Sequence, residues 1–151
     1  MHLLRQHIRL HADGYSCQTG DLWRVLLAAA ARHKSPVCAD LTDAPAANTV
    51  RDYLTAQLPP HDVRGLERCC NAALAAVIPQ GVRARPQEIA RDEHDEPYYG
   101  RCDSNDPNNW VCRGEARAGT TYFYRCATAY VMLHDRRLTL AVVFVKPGAS
   151  C

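Results

Sequence analysis

The run Arg91-Asp-Glu-His-Asp-Glu-Pro-Tyr-Tyr-Gly100 sets four ionisable side chains, Asp92 to Asp95, directly after a strand-like segment and closes with Pro-Tyr-Tyr-Gly. Carboxylate oxygens crowded at a strand end are the hard ligands that Mg²⁺ takes. In phosphoryl transfer, a pair of such cations activates the attacking oxygen and stabilises the leaving one. Strand phase singles out Asp92: it ends the run 87–92, and Glu93 to Glu96 fall into the turn that follows. An acidic, solvated surface turn is the competing reading of the same composition.

Other ligand types are less well spaced. Cys102, Cys112 and His94 could be drawn around zinc, but nine residues separate the two cysteines and no close cysteine pair of the finger type occurs. The chain has eight cysteines, none in a Cys-x-x-Cys pair. Its N-terminus carries Arg and His throughout instead of an apolar export signal. The cysteines therefore read as small buried apolar residues rather than disulfides. With no run long enough to span a bilayer, the expectation is a soluble, cytoplasmic protein without membrane partners.

A length of 151 residues with 47% apolar and 23% charged residues fits an ordinary folded domain or a helical module joined to part of a larger one. The net charge of +2 does not announce a polyanion binder, although Arg64, Arg68, Arg83, Arg85 and Arg91 gather before the acidic run. Arginine matches phosphate bidentately, and a solvated face explains the same gathering.

The first half is patterned for helices. Thr19 and Asp21 can cap an apolar helix over 22–32, and Ser35-Pro36 starts a short one that ends near Asp43-Ala-Pro45. Asn48 is placed to cap a third, with Val50, Tyr53, Leu54 and Leu58 on one face, and a fourth spans about 62–77. The second and third of these have the form of a helix-turn-helix, in which the second helix presents its N-terminal residues to base edges. Asn48, Thr49 and Arg51 would be the nucleic-acid-reading side chains. Helix pairs of this kind are also ordinary in plain bundles.

After residue 82 the period changes. Strands are predicted at 87–92, 120–132 and 137–145, the last two forming a long hairpin, with 101–118 as a polar loop. The fold class is α+β: a helical, candidate DNA-binding region over 1–82 and a sheet region over 83–151.

Two separated motifs, Asp92-Glu-His-Asp-Glu-Pro-Tyr-Tyr-Gly100 and Gly119-Thr-Thr-Tyr-Phe-Tyr-Arg-Cys-Ala-Thr-Ala-Tyr130, followed by Arg136-Arg-Leu-Thr-Leu-Ala141, resemble the DDE transposases of prokaryotic insertion sequences. The likeness is to the group with an Asp-x-His-Asp-x-Pro-Tyr-Tyr-Gly box, and it extends from about residue 20 to 145. It implies an RNase H-like fold whose first three strands are the three above, with Asp92 as the first catalytic, metal-binding aspartate. It also implies Mg²⁺-dependent DNA cleavage and strand transfer at insertion-sequence ends. The family's second aspartate and its glutamate come after the third strand. The expectation is a truncated, half-formed catalytic domain, inactive alone, that partners DNA and associates with full-length transposase or with itself. A stand-alone DNA-binding protein without catalysis is the alternative.

Overall fold

The computed structural model describes residues 2–32, 44–58, 62–134 and 136–148. It is α+β, with N-terminal helices, a small hairpin and a four-stranded antiparallel sheet. The helix expected from Ser35-Pro36 lies outside the described residues. Helix α1 (His2–His7) belongs with Pro60–Cys151 in one compact unit, and Ile8–Pro59 forms the other.

In the Ile8–Pro59 unit, strands β1 (Asp13–Gly14) and β2 (Cys17–Gln18) make a minimal antiparallel hairpin that runs straight into α2 (Thr19–Arg32). The junction is set by Thr19, whose backbone N–H and hydroxyl both donate to the Ala12 carbonyl, while that hydroxyl accepts from the Ala12 N–H. Asp21 reaches back to accept from the Gln18 N–H at 3.0 Å, as a capping residue does. Leu22, Val25 and Ala29 recur at helical spacing and are buried, together with Trp23 and Cys17. Helix α3 (Ala47–Gln57) adds the fully buried Val50. Its Gln57 amide accepts from the His11 N–H and donates to the His11 carbonyl. Asn48 does not cap this helix: Ala46 occupies the cap without a side-chain bond, and Asn48 is an exposed residue of the first turn.

The other unit contains α1, α4 (Val63–Val77), the short α5 (Gln80–Arg83) and the sheet. Asp62 caps α4 by accepting from the Gly65 N–H at 3.0 Å. The sheet is built on the long strand β5 (Thr120–Leu133). Strand β3 (Ala90–Pro97) pairs antiparallel with residues 123–130 of β5. Strands β4 (Val111–Arg117) and β6 (Arg136–Phe144) pair with residues 120–124 and 126–133 of β5, so both lie end to end on the side opposite β3. The turn between β4 and β5 is Ala118-Gly119, with φ of 51° and 78°, the left-handed pair that a tight hairpin turn needs. Phe123, Val131, Val111, Cys112 and Val145 are buried.

Two expectations are corrected here. The acidic residues lie within strand β3 and not in a turn, because each of Asp92 to Glu96 has a register partner on β5. The polar stretch 101–118 contains a strand, β4, started by the buried pair Val111-Cys112. At β6 the edge of the sheet is covered by α4. Asn71 of α4 donates to the Val142 carbonyl at 2.9 Å and accepts from the Val142 N–H at 2.8 Å, and Glu67 accepts from the Phe144 N–H at 2.8 Å. A helix laid along a strand satisfies groups that would otherwise recruit another strand.

Candidate functional site

Period-two alternation along β3 sorts the acidic run between the two faces of the sheet. Asp92, His94 and Glu96 share one face, opposite Thr128, Cys126 and Tyr124 of β5; Arg91, Glu93 and Asp95 share the other.

The Asp92 side chain is half exposed and engaged by Arg137 of β6, whose Nη1 donates to Oδ2 at 3.0 Å. Arg137 also donates to the Thr128 hydroxyl at 2.5 Å and lies 3.9 Å from the centre of the Tyr130 ring. A single guanidinium, that of Arg137, therefore links the three strands β3, β5 and β6. The nearest carboxylate on the same face of the strand is Glu96, four residues along, which is roughly 13 Å at strand rise. Two catalytic cations sit about 4 Å apart. Among the described residues no three Asp, Glu, His or Cys side chains come together as a metal set. The residues present therefore do not form a two-cation site around Asp92.

Asp95 is the carboxylate that the fold encloses. Its side chain is 7% exposed and takes a bidentate bond from Arg125, its direct cross-strand neighbour, at 2.7 and 3.0 Å. Arg117 of β4 donates to the same carboxylate and lies over the buried Phe123 ring. The hydrogen bond from Arg125, reinforced by the charges of Arg125 and Arg117, holds the Asp95 carboxyl below the usual aspartate range against the opposing effect of burial. Asp95 in turn pushes the Arg125 guanidinium further up. This triad ties β3, β5 and β4 together. Reading the acidic run as a strand would have separated Asp95 from Asp92 by face, and the strand pattern was hidden because no apolar residue alternates there.

Of the residues expected to read nucleic acid, Asn48 and Arg51 are exposed one turn apart on α3, and Thr49 is half buried beside Val50. Asn48 and Arg51 share a solvent-facing stripe. The first helix of the expected helix-turn-helix falls on residues that are not described, and Asp92 and the α3 residues belong to different compact units. Among the described residues no helix is long and apolar enough to cross a membrane. Comparison with protein-family models, curated proteins and solved structures finds no match to the chain.

Proposed function

We propose that this chain is transposase-derived: a DNA-binding helical region joined to the opening strands of an RNase H-like nuclease fold, acting on insertion-sequence ends without cleaving them by itself. The observation that carries this reading is the acidic box, whose Asp92 to Pro97 lie on β3, antiparallel to the long β5, with β6 on the far side of β5. These three strands support the reading, with β4 as an additional strand end to end with β6. The lack of cleavage follows from the ligand geometry. Asp92 is paired with Arg137 and stands in no group of three potential metal ligands among the described residues, so Mg²⁺ would be held only if two further carboxylates reached it from another polypeptide or segment. Phosphoryl transfer rests on such positioning and charge neutralisation. DNA is the partner, read by Asn48, Thr49 and Arg51, and association with a full-length transposase would complete the metal set.

Binding to a duplex carrying the terminal sequences that flank the gene, against a shuffled duplex, tests the reading. A preference of about a thousand-fold is expected at physiological salt, as for specific DNA binders; equal affinities would overturn it. Incubation of the pure chain with Mg²⁺ and that duplex should leave the DNA intact. Nicking that disappears in Asp92→Asn would overturn the claim that the chain cannot cut alone.

A further inference from the structure

A cavity of about 390 Å³ opens between the start of β4, the end of β3 and the loop joining them, and no part of the reading above uses it. Its walls are aromatic. The Tyr98 and Tyr124 rings meet edge to face, centroids 5.1 Å apart and planes at 68°, and Trp110 lines the same space. Two rings near a right angle form a corner in which one flat ring can lie against a face while its edge meets the other.

The polar lining is incompletely used. The loop residues Asp103 and Asp106 each spend one oxygen on a backbone N–H, of Asn105 and Asn108 respectively, to shape the loop. Among the described residues, the exposed side-chain amide of Asn108 and hydroxyl of Tyr124 have no hydrogen-bond partner within the chain, and no carboxylate pairs with the exposed Arg101. Tyr124 is exposed, and its phenol is neutral at physiological pH, so it can donate.

Cations border the cavity. Arg101 lines the wall; beside it, Arg64 lies 4.9 Å from the Trp110 ring centre but is paired with Glu67, and Lys146 lies 6.0 Å from that ring and donates to the Pro107 carbonyl. An organic cation would suit the aromatic walls and the carboxylates of Asp103 and Asp106, but it would leave Arg101 and the Asn108 and Tyr124 hydrogen-bonding groups unanswered. A flat ring with N–H donors for the remaining oxygens of Asp103 and Asp106, carrying an anionic group for Arg101, answers the aromatic corner and the polar lining.

We propose that this cavity binds a nucleotide whose base is not stacked in a duplex, the base against Tyr124 and Tyr98 and its phosphate toward Arg101. The proposal stands apart from the reading of the helical region, because a free nucleotide and an unpaired residue in a DNA strand present the same chemistry.

Trp110 is one of two tryptophans, and the other, Trp23, is buried, so its fluorescence reports the site. The experiment titrates the full chain with dGMP, with dTMP, with a hairpin carrying one unpaired nucleotide, and with the fully paired hairpin. Saturable quenching by a mononucleotide, or by the unpaired hairpin well beyond the paired one, is the expected result, the two arms distinguishing the free from the strand-borne source. Tyr124→Ala should weaken binding by about ten-fold, the scale of one lost stacking contact, and Asn108→Ala should weaken it less. Tyr15→Ala, an exposed residue of the other unit, should leave it unchanged. Far-UV circular dichroism checks that each variant folds, and Asn108→Ala serves if Tyr124→Ala does not. Equal quenching by paired and unpaired hairpins with none by mononucleotides, or quenching by choline alone, would overturn the proposal. Loss of duplex binding in the preceding experiment would leave it standing.

Discussion

Asp92 and Asp95 are three positions apart, chemically identical and opposite in circumstance. Asp95 is enclosed and chelated by Arg125, so Asp95→Asn leaves a half-buried guanidinium without its charge partner. The expected cost is about 2–3 kcal/mol, the range for hydrogen bonds to charged groups, read as a shift in urea midpoint. Its carboxyl is held down in the folded state, so the folded protein releases that proton more readily than the unfolded chain. The associated stability is fully present above the ordinary aspartate value of about 4 and falls as pH drops through the lower folded value. Wild-type protein should therefore lose stability more steeply with acid than Asp95→Asn does, as denaturation curves taken from pH 6 downward would show. Asp92 pairs with Arg137 in the open, where such pairs contribute less than about 1 kcal/mol. Asp92→Asn should melt close to wild type, and a large destabilisation would mean that the Arg137 clamp carries more of the sheet than its exposure suggests.

At the scale of elements, the contact between α4 and β6 rests on two side chains a helical turn apart, Glu67 and Asn71. Asn71→Ala removes both bonds to Val142 and should cost about 1–2 kcal/mol. Amide exchange at Val142 should rise, and light scattering on heating should increase as the strand edge is bared. Asn71→Asp is the sharper probe, because a carboxylate still accepts from the Val142 N–H but repels its carbonyl. At the other end of the sheet, Ala118 adopts φ of 51° in a two-residue turn. Ala118→Asn should raise stability by about 0.5–1 kcal/mol, because asparagine tolerates that conformation and Ala does not. These elements differ in how plainly they were written in the residues. The α4 helix and the β5–β6 hairpin were legible, the first from its spaced apolar face and the second from its β-branched and aromatic density. Strand β3 was read only in part because charged residues, disfavoured in strands, fill its centre and are held there by cross-strand arginines. Strand β4, with only Val111 and Cys112 as apolar signal, was read as loop. Asn71 gave no signal, since what it caps is seventy-one residues away.

For the whole molecule, the division into units does not follow chain order. Helix α1, at the start of the chain, contacts α4 and counts with the sheet, while the residues between them form a unit of their own. Deleting residues 2–7 should therefore raise amide exchange in α4 more than in α2 or α3. The reverse pattern would place α1 with the helical unit. The candidate site was partly legible at this scale too: the acidic run drew the eye to β3, but only the pairing shows which carboxylate is enclosed and which is exposed. Strand β5 has a further consequence as a ruler. Two shorter strands share one of its flanks, meeting where the Arg125 carbonyl accepts from the Val145 N–H and the Cys112 thiol touches the Val145 carbonyl. Its span is thus fixed by their combined lengths. Inserting a dipeptide there would preserve the alternation of faces yet pry that joint open, so this strand tolerates changes of residue far better than changes of length.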